Sequence, residues 1–247
     1  MRIAWIWVGI LIGWLLWWYI RPRLRDGGGS IDLQWSPDIE GEQAQELRPD
    51  NEISADLSDE YTRRVFALGD SLTAGYQLLP EESYPAQLER LLQEAWYMWR
   101  VINAGRSGDT SAQVRDRLER SLADAQPGDI VILTVGGNDG LQWLSVSQLE
   151  TNIRDIVRAL QEQQLEIIIG GMLLPPNYGV SYTEQFAAVY QRVAEEFGVQ
   201  IIPFLLERVA AQPEFNLPDG IHPNATGQYM IAEDVFTFIL STIPRDE

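Results

Sequence analysis

Residues 64–76 read RVFALGDSLTAGY, and the fold turns on this stretch. Val65 to Leu68 is a short apolar run that stops at Gly69-Asp70-Ser71. A run of that length, bounded by a turn signal, reads as a buried strand. Four more runs read the same way further on: Val101–Asn103, Ile130–Val135, Ile167–Gly170 and Gln200–Ile202. Between them the apolar residues fall at helical spacing. Tyr84, Leu88, Leu91, Leu92 and Ala95 form one such stripe, Leu149, Ile153, Ile156, Val157 and Leu160 a second, and Tyr182, Phe186, Val189, Tyr190 and Val193 a third. A last helix is expected over Asn224–Leu240, just after Pro223. Strands alternating with helices imply parallel βαβ units and a sheet covered on both faces. On such sheets ligands gather at the carboxyl ends of the strands.

Four polar segments follow strand ends or precede the last helix. In the first, Gly69 allows a tight turn, Gly75 allows close backbone approach, and Ser71 is expected to stand exposed at a helix start. Backbone N–H groups there would favour a developing oxyanion, although a plain N-cap serine fits the same letters. The spacing is not that of the G-x-S-x-G elbow. In the second, Asn103 to Thr110, Gly108 could offer its N–H to an oxyanion; an ordinary βα loop capped by Asp109 or Thr110 is the alternative. In the third, Gly136-Gly137-Asn138-Asp139, the Asn138 amide could do the same, or the segment is only a turn. In the fourth, Asp219 and His222 stand three apart, so a carboxylate can orient an imidazole that takes a proton from a serine. Each segment alone is ambiguous. Together they supply a hydroxyl, oxyanion donors, a carboxylate and an imidazole in workable order.

Composition narrows the chemistry. The chain has 247 residues, no cysteine and one histidine. That removes thiol nucleophiles, disulfides, Cys-ligated metals and multi-histidine metal sites. All 18 bases are arginine, so no lysine is available for a Schiff base or a P-loop. The net charge of -18 makes a nucleic-acid partner a poor fit.

The N-terminus differs from the rest. Ile3 to Ile20 carries no charge and holds five tryptophans, and as a helix it would span roughly one hydrocarbon core. Trp5, Trp7, Trp17, Trp18 and Tyr19 lie near the two ends, as an interfacial belt does. We read residues 1–25 as an uncleaved transmembrane anchor with a basic flank; a cleaved signal peptide would want a shorter core and a small-residue cleavage site. Residues 26–60 open with Gly27-Gly28-Gly29-Ser30 and carry eleven acids against Arg48 alone, which reads as a flexible acidic linker. The globular domain is expected over 61–247. Arg21, Arg23 and Arg25 lean toward a cytoplasmic C-terminal flank, against Arg2 and the α-amino group on the other side.

With these residues in view, the chain resembles the SGNH (GDSL) hydrolase family over about Arg64 to Leu240. The supporting strings are GDSLTAGY, SGDTS, GGNDG, LPPNYG (Leu174 to Gly179) and DGIHPN. They are most similar to the bacterial periplasmic thioesterase, lysophospholipase and arylesterase subgroup. The resemblance implies a flavodoxin-like α/β/α sandwich with a mostly parallel five-stranded sheet, and hydrolysis of carboxylic esters or thioesters. It implies Ser71 as nucleophile, His222 as general base and then acid, and Asp219 as its orienter. It implies an oxyanion hole from the Ser71 and Gly108 N–H groups and the Asn138 side chain, with no metal or organic cofactor. It also implies an extracytoplasmic domain, at odds with the lean of the flanking arginines.

Leu141, Trp143 and Leu144 follow the Asn138 loop, and Leu173, Leu174, Pro175, Pro176 and Tyr178 follow the fourth strand. Leu141, Trp143, Leu174, Pro175 and Tyr178 are expected to bind the acyl group, with ordinary loop packing as the alternative. Tyr76, Leu78 and Leu79 are a third candidate wall. The expected partners are a small acyl ester or lysophospholipid, and the membrane through the anchor. Two other functions stay open. A polysaccharide deacetylase would have a short polar pocket, and a non-catalytic tethered binding protein would leave Ser71 inert.

Overall fold

The computed structural model describes residues 63–242. The anchor and linker expected over 1–60 lie outside the described residues. Among the described residues, no helix is long and apolar enough to cross a membrane.

Five strands form one sheet: β1 Arg63–Gly69, β2 Trp99–Gly105, β3 Ile130–Thr134, β4 Glu166–Gly170 and β5 Gln200–Ile202. Their order is β2-β1-β3-β4-β5, and every pairing is parallel. The central strands are the most apolar. All five residues of β3 are buried, as are the last five of β1. Val101–Asn103, expected to be buried, belongs instead to a partly exposed edge strand. Only one side of an edge strand has a neighbour, so a short apolar run does not reveal its place in the sheet.

The helices are α1 Ser71–Ala74, α2 Tyr84–Glu94, α3 Ser111–Asp116, α4 Leu118–Ser121, α5 Gly137–Leu141, α6 Val146–Glu162, α7 Val180–Phe197 and α8 Ala225–Thr242. The three apolar stripes of the sequence fall on α2, α6 and α7; α6 buries all of its stripe, whereas Leu91, Ala95 (just past α2) and Tyr182 are only partly buried. From β1 the chain first moves outward to β2, then returns past β1 to β3, β4 and β5. Right-handed crossovers then place α2 on one face and α3, α6 and α7 on the other. The packing agrees: α2 lies against α8, while α6 lies against both α7 and α3. The described part is thus a sheet between two helical layers.

The reversal at β1 decides where the site forms. Connections leaving β1 and β3 diverge to opposite faces and open a crevice at their carboxyl ends. Gly69 closes β1 there. A Cβ on it would come within 2.6 Å of the Thr134 carbonyl on β3 and closer still to the Thr73 hydroxyl, so only glycine lets the strand turn into α1 this tightly.

Candidate active site

Ser71 is the first residue of α1, directly beyond β1. Asp70 caps this helix, its carboxylate accepting from the Leu72 N–H at 3.1 Å. With only four residues, α1 has little macrodipole, and what it offers is individual N–H groups. Ser71 was expected to be exposed, but it is only 9% accessible. Gln228 on α8 holds the turn from beneath. Its amide donates to the Leu72 carbonyl at 3.0 Å and accepts from the Tyr84 N–H at 2.7 Å, tying α1, α2 and α8 together.

His222 approaches from the other end of the chain. Its Nε2 lies 3.0 Å from Ser71 Oγ, and its Nδ1 lies 2.7 Å from Asp219 Oδ2. The other Asp219 oxygen accepts the N–H groups of Ile221 at 2.9 Å and His222 at 3.0 Å. Partial burial works to raise the Asp219 carboxyl. The backbone donors and the imidazole outweigh it and hold the carboxyl below its ordinary value. The loop is braced at both ends. Asn216 donates to the carbonyls of Val209 at 2.7 Å and Gln212 at 2.8 Å, and Asn224 donates to the Glu214 carbonyl at 2.9 Å. The Tyr76 ring rests on the imidazole, centroids 4.4 Å apart.

The two remaining loops are joined to each other. Asn138 Nδ2 donates to the Asp109 carbonyl at 2.9 Å, which commits one amide hydrogen and leaves the second. Gly108 is exposed at φ +89°, with open space where a Cβ would stand. Asp139, beside Asn138, accepts from the Ser111 N–H at 2.8 Å and the Ser111 hydroxyl at 2.5 Å, and Asn152 donates to that hydroxyl at 2.9 Å. The turn that carries Asn138 is therefore anchored to both α3 and α6.

Asp70 is 1% exposed. Burial, aided by the neighbouring Asp139 and Asp109 carboxylates, pushes its carboxyl up to about 7, against the hydrogen bond from Leu72.

A cavity of about 550 Å³ opens beside Ser71, Asn138 and His222. Leu141, Leu174 and Pro175 line it as expected. Trp143 and Tyr178 do not. Trp143, at φ +57°, turns outward and packs its ring on Tyr178 and Tyr182, at centroid distances of 4.8 and 5.0 Å. Tyr76 covers the imidazole instead of the cavity, and Leu79 is exposed. The far wall is one that sequence reasoning missed: Phe204, Leu206, Ala210 and Ala211, after β5. Its signal was the apolar run Phe204-Leu205-Leu206, but nothing in the letters says that the run turns back over the crevice. The rest of the lining is mostly apolar, with Asp70 and Asn216 as its further polar side chains. The site thus sets a hydroxyl, an imidazole and a carboxylate in line at the mouth of an apolar cavity.

The model of the GDSL-like Lipase/Acylhydrolase family matches residues 67–229. The chain is 40% identical over 170 residues to thioesterase 1/protease 1/lysophospholipase L1 of Escherichia coli (strain K12), covering 68% of this chain and 79% of that one. It is 36% identical over 174 residues to an arylesterase of Vibrio mimicus, covering 70% and 86%. Among solved structures, that of TesA superimposes with a TM-score of 0.68 at 34% identity, over 72% of this chain and 98% of TesA.

Proposed function

The chain belongs to the GDSL-like lipase/acylhydrolase family of ester-bond hydrolases, and from that premise we propose that it cleaves acyl esters and thioesters through a Ser71–His222–Asp219 triad. The observation that carries this reading is the unbroken line from Ser71 Oγ through both imidazole nitrogens to the Asp219 carboxylate, at 3.0 and 2.7 Å. With its Nδ1 proton donated to Asp219, His222 presents a free Nε2 lone pair to the Ser71 hydroxyl. Ser71 attacks the acyl carbonyl and passes its proton to Nε2. The imidazolium beside Asp219 then protonates the leaving alcohol or thiol. The resulting Ser71 acyl ester is released by water through the same groups in reverse roles.

The oxyanion hole comprises the Ser71 and Gly108 N–H groups and the second amide hydrogen of Asn138. Removing one such donor typically costs about 3 kcal/mol of barrier. The acyl chain lies between Leu141, Leu174 and Pro175 on one side and Phe204 and Leu206 on the other. An aliphatic cavity of about 550 Å³ supports medium or long acyl groups over acetyl, and so an esterase or lysophospholipase over a deacetylase. Each further methylene buried there adds up to ~0.8 kcal/mol, or about fourfold in kcat/KM.

The same reading holds residues 1–25 as a membrane anchor and 26–60 as its linker, with the catalytic domain outside the cytoplasm. The uncharged stretch from Ile3 to Ile20 supports the anchor. A C-terminal reporter active on only one side of the membrane tests the face.

The activity test compares p-nitrophenyl acetate, octanoate and palmitate with full-length protein in detergent, beside Ser71→Ala. Ser71-dependent turnover favouring octanoate or palmitate is expected. Turnover of acetate alone would redirect the reading to a deacetylase. No Ser71-dependent turnover, with Ser71 also inert to a fluorophosphonate, would overturn the triad.

A further inference from the structure

Arg117 fills the one-residue break between α3 and α4, at φ -108° and ψ 7°. The break turns its side chain inward, and only 10% of it is exposed. Its guanidinium makes four hydrogen bonds. Nε donates to Asp109 Oδ2 at 2.6 Å, and one terminal nitrogen donates to the Gly69 carbonyl at 2.9 Å. The other terminal nitrogen donates to the Ala104 carbonyl at 3.0 Å and to the Ser121 hydroxyl at 2.8 Å. These partners are not scattered. Gly69 lies two residues before Ser71, Ala104 is at the end of β2, and Asp109 is the neighbour of Gly108. The Asp109 carbonyl in turn accepts the Asn138 amide at 2.9 Å.

We propose that Arg117 is a positioning residue that, with Asp109, locks the Ser71, Gly108 and Asn138 loops into one oxyanion-binding frame. The proposal rests on the assignment of those three residues as oxyanion donors. One planar cation spans the ends of β1 and β2 and the loop between β2 and α3, and a single further hydrogen bond extends it to the turn after β3. A lysine could reach one or two of these acceptors but not all in their different directions. The charge has a second effect. Asp70, Asp109 and Asp139 are all buried around the site, at 1%, 5% and 3% exposure. An oxyanion forming among them is opposed by each one that is ionised. Arg117 pairs with Asp109 at buried range, whereas Arg106, the other arginine near that carboxylate, stands 3.8 Å away and is 69% exposed. Arg117 thus gives the frame both its shape and a compensating charge.

The test uses full-length protein in detergent with Arg117→Lys, Asp109→Asn and the double variant Arg117→Met/Asp109→Asn. Active sites are counted by exhaustive fluorophosphonate labelling, so kcat refers only to folded, competent enzyme. Octanoyl ester turnover gives kcat and KM, and the time course of labelling gives the acylation rate. A frame that sharpens donors only in the transition state predicts about a tenfold to hundredfold loss of kcat per active site in both single variants. KM should stay within about threefold, and phosphonylation should slow by the same factor as kcat. The double variant removes the buried charges as a pair, so it separates shape from charge. It should remain at least as slow as Asp109→Asn. The proposal fails if kcat per labelled site is unchanged in Arg117→Lys and Asp109→Asn, which would make the cluster a stability device. It fails equally if the double variant recovers full kcat. Activity that survives Ser71→Ala would instead remove the reading on which the proposal rests.

Discussion

Asp70 is the residue whose environment is most at odds with its chemistry. Its carboxyl is raised from 3.8 to about 7, chiefly by burial and then by Asp139 and Asp109. Between those two pH values the folded chain holds a proton that the unfolded chain has released. Stability therefore falls as pH rises from about 4 to about 7, by up to ~4 kcal/mol. Asp70→Asn keeps the acceptor for the Leu72 N–H and removes the titration. Its melting temperature relative to the parent should rise from pH 4 to pH 8; a pH-independent difference would remove Asp70 from the account. Tyr76 offers a second test at this scale. Its ring rests on His222, to which the proposed mechanism gives a transient positive charge that an aromatic face favours. Tyr76→Phe should keep kcat within about twofold, while Tyr76→Ala should lose about fivefold to tenfold at saturating ester, because such contacts contribute roughly 1 kcal/mol. Ser71, Asp219 and His222 could be picked out as candidates by combining four individually ambiguous segments with the family resemblance, since a hydroxyl–imidazole–carboxylate line demands those residue types. Tyr76 was read as pocket wall. Its stacking on the imidazole depends on two loops whose meeting no local pattern encodes.

At the scale of elements, the turn between β3 and α5 is the least replaceable. Gly136 takes φ +105°, and a Cβ there would fall within 2.3 Å of the Tyr190 hydroxyl, which itself donates to the Val135 carbonyl at 3.0 Å. Gly136→Ala should destabilise the chain by about 2–4 kcal/mol, combining left-handed strain with a clash against a fully buried ring. Urea denaturation would measure this, and esterase activity should fall with it because Asn138 is two residues away. The strands and long helices could be read in advance because burial imprints a period on the sequence. Arg117 left no such imprint. Two of its four acceptors are carbonyls at the ends of different strands, and only the sheet order makes them neighbours. Trp143 was misplaced for a related reason: at φ +57° its backbone sends the ring away from the cavity that its position in the sequence suggested.

At the scale of the whole molecule, charge and connectivity matter most. With a net charge of -18, the chain is repelled by anionic surfaces, over about 30 Å at 10 mM salt and about 5 Å at several hundred millimolar. Hydrolysis of an ester carried in anionic vesicles should accelerate several-fold across that range, with little change for zwitterionic vesicles; equal salt dependence on both would remove repulsion as the cause. The sheet order itself follows from family likeness more than from hydrophobic pattern, because a run of apolar residues does not say which strand it will join. The proposed triad draws on both ends of the fold: Ser71 and His222 lie 151 residues apart in the chain. Ser71, Gly108 and Asn138 are all made before β4, whereas the His222 imidazole arrives only after β5. Contacts this distant must bear their loop-closure entropy before they are formed, and so they form late. A chain still being made, with β5 just complete, holds Ser71 without His222. Hydrolytic competence is thus a late event in folding. In refolding from urea, recovery of ester turnover should trail recovery of helical circular dichroism, and the hydrolase stays inert until its own architecture is finished.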